Sequence, residues 1–130
     1  MIYLDTSALV KLVRAEAETD DLVAWLGERA DLVTSSLARV ELMRALREEG
    51  EAEKRQAATI LVDIDQVPMT FDLLDAAGAL PQPVRSLDAI HLASAIRLRD
   101  VLEAFVAYDK RLLAAADEVG LLTVAPGADG

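Results

Sequence analysis

Four carboxylates in this chain stand in apolar surroundings that would make an isolated charge costly. Asp5 closes the opening run Met1-Ile2-Tyr3-Leu4, and Asp109 closely follows Phe105-Val106-Ala107. Glu41 lies within Leu37-Ala38-Arg39-Val40-Glu41-Leu42-Met43, and Asp88 within Ser86-Leu87-Asp88-Ala89-Ile90. A buried carboxylate costs free energy unless it is paired or bound to a cation. Brought together, four of them would repel one another, and a divalent metal offsets that repulsion. Oxygen-only donors, with no cysteine and a single histidine, favour Mg²⁺ or Mn²⁺ over zinc. Such a site can lower the pKa of a bound water and stabilise in-line displacement at phosphorus, which makes a metal-dependent hydrolase the expectation.

Each acid also has a plain structural reading. Asp5 can cap the helix that follows it, as could Thr6 or Ser7. Asp88 falls in the first turn of a helix, where the helix dipole favours an acid whatever its function. That helix is apolar around most of its circumference, through Leu87, Ala89, Ile90, Leu92, Ala93, Ala95 and Ile96. It should therefore be buried, and its acid should need a partner. Glu41 has Leu37, Ala38, Arg44 and Ala45 as helical neighbours, so it is either a surface pair with Arg44 or a ligand-type carboxylate. Asp109, followed by Lys110 and Arg111, can serve as a helix cap. His91, three residues after Asp88, reads as a satisfied core or supporting histidine, because one histidine without a repeat makes no metal spacing.

The elements that would position these acids alternate short apolar runs with amphipathic stretches, the pattern of βαβ units and a parallel sheet. Strands are predicted at Ile2–Leu4, Leu32–Thr34, Ile64–Val67, Phe105–Ala107 and Leu121–Val124. Helices are predicted from about Ser7 to Arg14 and from Thr19 to about Arg29, with Thr19-Asp20 as the cap of the latter. A third is capped by Ser35 or Ser36, and others run at about Glu51–Leu61, Thr70–Leu80, Ser86–Arg99 and Lys110–Val119. Gly50, Pro68, Pro81-Gln82-Pro83 and Gly120 punctuate them. In an open parallel sheet functional groups gather at the carboxyl ends of the strands, where Asp5 and Asp109 would fall. One α/β domain over residues 1–125 is expected, with 126–130 a frayed tail.

The 130 residues suffice for one domain with a proper core. At 53% hydrophobic and 28% charged the composition is that of a globular protein, not a disordered one. No apolar run approaches the roughly 18 residues of a membrane span. The N-terminus carries no secretion signal, so a cytoplasmic address and no membrane partner are expected. The net charge of −10 argues against simple electrostatic capture of nucleic acid, although four of the acids are the candidate site itself. Tyr3, Trp25, Phe71, Phe105 and Tyr108 are the only aromatics, too few for a base-stacking platform. A nucleic-acid substrate would have to be held by local arginines and metal. Phosphate-binding glycine loops are absent.

Four segments together resemble the PIN-domain family, and more narrowly the VapC-type toxins of bacterial toxin–antitoxin pairs. They are Met1-Ile-Tyr-Leu-Asp-Thr-Ser-Ala-Leu-Val-Lys-Leu, Ser36-Leu-Ala-Arg-Val-Glu-Leu-Met-Arg-Ala, Leu87-Asp-Ala-Ile-His-Leu-Ala-Ser-Ala and Phe105-Val-Ala-Tyr-Asp-Lys-Arg-Leu. They span essentially the full chain in the family's order. The resemblance implies a PIN-like three-layer α/β fold, with a small parallel sheet of about five strands flanked by helices. It also implies an Mg²⁺- or Mn²⁺-dependent endoribonuclease. Asp5, Glu41, Asp88 and Asp109 would be the catalytic, metal-binding quartet, with Asp5 and Asp88 as direct ligands and Glu41 and Asp109 binding directly or through water. Ser7, with Thr6 beside it, would orient the site. A homodimer and a VapB-type antitoxin are implied as partners, and Arg14, Arg39, Arg44 and Arg85 flank the motifs as candidate phosphate contacts. The chain departs from the pattern at Ala107, where members often carry threonine.

Two other readings compete. The acidic cleft could be a non-enzymatic module for a basic partner peptide, or the first aspartate could be a phosphatase nucleophile of the haloacid-dehalogenase type. The second wants an aspartate where this chain has Ser7.

Overall fold

The computed structural model describes residues 1–27, 29 and 31–128. Its strands are β1 (Ile2–Leu4), β2 (Leu32–Ser35), β3 (Asp65–Val67), β4 (Ala104–Val106) and β5 (Thr123–Val124). Between them lie α1 (Thr6–Val13), α2 (Thr19–Leu26), α3 (Ala38–Ala45), α4 (Glu51–Asp63), α5 (Phe71–Gly78), α6 (Ser86–Arg97) and α7 (Lys110–Glu118). The strands make one parallel sheet in the order β3-β2-β1-β4-β5. The architecture is the parallel α/β fold expected from the sequence.

Both faces of the sheet are covered, as a parallel sheet requires. The period-two alternation of strand side chains sorts the core into two halves. Tyr3, Val33 and Phe105 point to one face and pack with α5, α6 and α7, through Leu73, Leu92 and Leu112. Ile2, Leu4 and Val106 point to the other, against Leu9, Leu22, Leu42 and Leu61 of α1 to α4. Each such side chain taken wholly out of water contributes about 1.5–3 kcal/mol.

The sheet winds outward from its centre in two directions, through β2 and β3 on one side and β4 and β5 on the other. The reversal falls between β1 and β4, whose register pairs Leu4 with Val106. Crevices at the carboxyl ends of strands form where the strand order reverses.

Local details differ from expectation where a side chain finds a better partner. Thr19 does not cap α2; its hydroxyl accepts from the Glu16 amide at 2.9 Å and donates to the Lys11 carbonyl at 2.8 Å. Neither Ser35 nor Ser36 caps α3. Ser35 Oγ accepts the Leu37 amide within the turn, and Ser36 Oγ accepts the Met69 amide across the chain. α2 stops at Leu26 because Gly27 turns to a φ of 48°, open to glycine at no steric cost. Beyond it, Glu28 and Ala30 lie outside the described residues, as do Asp129 and Gly130 of the expected tail. Pro126, in the same tail, accepts a hydrogen bond from the Tyr108 hydroxyl at 2.7 Å. No helix among the described residues is long and apolar enough to cross a membrane.

Candidate active site

Asp5 leaves β1 at the reversal point and caps α1. Its Oδ1 accepts the Ala8 amide at 3.0 Å and the Ser7 hydroxyl at 2.6 Å. The capping reading is therefore true of Asp5, and it engages one oxygen only. The residue is 5% exposed. Burial raises its carboxyl above the ordinary aspartate range and Asp88 adds to the rise, against His91, Ser7 and the Ala8 amide.

Asp109 repeats the arrangement one strand over. It follows β4, and its Oδ1 caps α7 through the Leu112 amide at 2.9 Å. Ser7 stitches the two loops together, since its Oγ accepts the Tyr108 amide at 3.3 Å while donating to Asp5.

Asp88 is brought to the same place by the first turn of α6, a helix buried through Ile90, His91, Leu92, Ala93, Ser94 and Ala95. Its carboxyl is raised by burial first and then by the charge of Asp109, with Glu41 a smaller contribution and Arg85 and His91 opposing. Arg85 reaches both aspartates, with Nε 3.7 Å from Asp88 Oδ2 and Nη2 3.9 Å from Asp109 Oδ2. Glu41, in the first turn of α3, is half-buried and does not pair with Arg44. Its Oε1 accepts Thr6 Oγ1 at 2.6 Å and lies 2.7 Å from His91 Nε2. Burial pushes the Glu41 carboxyl up, but the hydrogen bonds from His91 and Thr6 and the charge of His91 outweigh it and hold it below the ordinary range.

Two adjoining openings share Arg85 and Asp88: one reaches Glu41 through Ser86 and Leu87, the other reaches Asp109 beside Lys110 and Arg111, and the buried Asp5 lines neither. The Asp109 side has a volume of about 430 Å³, within the range of small-ligand sites. Among the described residues, no three carboxylate or imidazole groups stand close enough together to form a ready ligand shell.

The scan against family models matches the PIN domain over residues 2–118. Ribonuclease VapC47 of Mycobacterium tuberculosis is 46% identical over 134 residues, covering 98% of each chain. Of solved structures, a toxin–antitoxin complex from Klebsiella pneumoniae superposes with a TM-score of 0.75 at 20% identity, covering 97% of this chain and 98% of that one. Mycobacterium tuberculosis VapC20, a sarcin–ricin loop cleaving toxin, does so with 0.74 at 20% identity, covering 97% and 100%. The chain belongs to the PIN-domain family.

The PIN-domain cleft sorts the four candidate arginines. Only Arg85 lines it. Arg14 turns to Glu16 at 3.2 Å and to the Ala45 carbonyl at 3.4 Å, while Arg39 and Arg44 lie exposed on α3 and line neither side of the opening. Lys110 and Arg111, both exposed beside the Asp109 cap, do line it. Their signal was position: a basic pair directly after a strand-end acid sits in the first turn of the next helix, beside that acid. Thr6 also serves differently from Ser7, holding Glu41 where Ser7 holds Asp5. Ala107 is wholly buried, one residue beyond β4.

Proposed function

We propose that this PIN domain is a metal-dependent endoribonuclease toxin that hydrolyses RNA phosphodiester bonds and is neutralised by a VapB-type antitoxin. The observation that carries it is the placement of Asp5 and Asp109 at the strand ends flanking the sheet's reversal point, with Asp88 between them in charge. The near-full-length identity with a protein named as a VapC ribonuclease supports the same reading.

The donor set fits a hard divalent cation. It is all oxygen, and Asp5 and Glu41 each use a single oxygen in the hydrogen bonds described above. Asp5 and Asp88 also ionise against burial and against neighbouring acids, a cost that a cation removes. Asp5 and Asp88 would hold Mg²⁺ or Mn²⁺, with Glu41 and Asp109 assisting. When bound, the ion supplies charge stabilisation and water activation at phosphorus. The chain's own groups do the rest. Ser7 and the Ala8 amide fix Asp5, and Thr6 and His91 fix Glu41. Arg85, Lys110 and Arg111 give the cleft a positive rim for RNA phosphates on a chain of net charge −10. A homodimer and a cytoplasmic address complete the reading.

A second reading, an inactive acidic cleft for a basic peptide, draws on the spacing of the acids, which is wider than a ligand shell. Incubation of the purified chain with RNA in Mg²⁺ and in chelator separates the two. Internal cleavage that needs the ion supports the nuclease, whereas inert protein that still binds a basic peptide supports the alternative.

A further inference from the structure

His91 is the only histidine of the chain and is 2% exposed, yet both its ring nitrogens have partners. Nδ1 lies 2.7 Å from the Tyr3 hydroxyl, and Nε2 lies 2.7 Å from Glu41 Oε1. Thr6 Oγ1, 3.2 Å from the same Nε2, donates to the same carboxylate oxygen. The ring stands edge-on to Tyr3, at 5.9 Å between centroids and 80° between planes. Tyr3 in turn stacks on Phe105 at 5.3 Å in the heart of the sheet.

For a neutral ring the partners set the roles. Glu41 Oε1, 2.7 Å from Nε2, is a carboxylate oxygen and accepts, so Nε2 carries a hydrogen. Tyr3 is wholly buried, and its hydroxyl has a proton to donate across the 2.7 Å to Nδ1. In a neutral ring Nδ1 is then bare and accepts from Tyr3.

We infer that Tyr3 and His91 form a positioning relay from the central strand to Glu41, setting the Nε2–H form of the ring and thereby the orientation of the glutamate carboxylate in the cleft. His91 touches neither substrate nor reacting atoms; it acts through Glu41. It also rides on α6 three residues after Asp88, so one helix sets two of the four acids. The inference rests on the nuclease reading for its consequence in rate, but not for its hydrogen-bond pattern.

A single histidine makes the test unambiguous. In ¹⁵N-histidine-labelled protein the wild type should show Nε2 protonated and Nδ1 bare and hydrogen-bonded. Tyr3→Phe should move the Nδ1 resonance and lower kcat about 10-fold with KM for RNA within about twofold, because outer groups that orient a site's ligands carry about 10–100-fold effects. His91→Leu should lose about 100-fold, and His91→Gln, whose amide nitrogen donates from nearly the Nε2 position, should recover to within about 10-fold of wild type. A proton on Nδ1 in the wild type, or Tyr3→Phe with unchanged kcat, overturns the relay. A wild type that cleaves no RNA overturns the nuclease reading alone, since the nitrogen pattern is read on the free protein.

Discussion

The Ser7–Asp5 contact permits a prediction in free energy. The Ser7 hydroxyl donates at 2.6 Å to a carboxylate that is 5% exposed, and hydrogen bonds to charged groups contribute about 1.5–3 kcal/mol. Ser7 Oγ also accepts the Tyr108 amide, at a long 3.3 Å, for at most about 1 kcal/mol more. Ser7→Ala should therefore cost roughly 2–4 kcal/mol, on the order of 10 °C in Tm for a domain of this size. Asp5→Asn behaves differently. Its amide oxygen can still accept the Ala8 amide, while the desolvated charge is gone. The wild-type carboxyl is raised in the folded state, by burial first and by Asp88. The folded protein thus binds that proton more tightly than the unfolded chain does, and stability falls as pH climbs from the unfolded value through the raised one. Asp5→Asn lacks that loss, so at neutral pH in chelator it should be at least as stable as wild type. In its background the Ser7 bond is neutral, and Ser7→Ala should cost about 1 kcal/mol less than in wild type. Urea denaturation of the four proteins at pH 5 and pH 7.5 measures the cycle. Zero coupling, or Asp5→Asn less stable than wild type by more than about 1 kcal/mol at pH 7.5, refutes the reasoning.

Three further outcomes follow from the cleft. Because the Asp5 and Asp88 carboxyls are both raised, protons compete with the cation above the ordinary aspartate range, and Mn²⁺ affinity by calorimetry should fall on acidification before an ordinary carboxylate would titrate. Glu41 has the opposite sign: its stabilising contribution is complete above the unfolded glutamate value and is lost as pH falls through the lowered folded value, a loss that Glu41→Gln should lack in denaturation curves. Lys110→Ala with Arg111→Ala should raise KM for RNA and reduce its salt dependence, with kcat little changed, whereas Arg39→Ala should alter neither.

The fold was legible because β1, β2 and β4 fall in short apolar runs between helical stretches, and the runs at residues 2–4 and 105–106 lie side by side in the sheet. The cap residues were less legible. Thr19, Ser35 and Ser36 have the right chemistry for caps, but tertiary or turn partners claim their hydroxyls. In the cleft, the positions of the acids followed from strand ends and helix starts, which are local features. The partners of Glu41 did not. Thr6 and His91 lie 35 and 50 residues away in sequence, and only the tertiary packing of α1 and α6 brings them to it. Helical spacing offered Arg44 instead. The arginines show the same limit, since adjacency to a motif placed Arg85 in the cleft and Arg39 and Arg44 on an exposed helix surface.

The most direct test of the metal-dependent nuclease is the initial rate of RNA cleavage by wild type and by Asp88→Asn, with matched circular dichroism, across a Mg²⁺ titration and in excess chelator. Wild-type cleavage should rise to saturation with Mg²⁺ and vanish in chelator, and Asp88→Asn should stay folded and fall by at least about 100-fold at every Mg²⁺ concentration. Cleavage that persists in chelator, or an Asp88→Asn variant that cuts at the wild-type rate, would contradict the account.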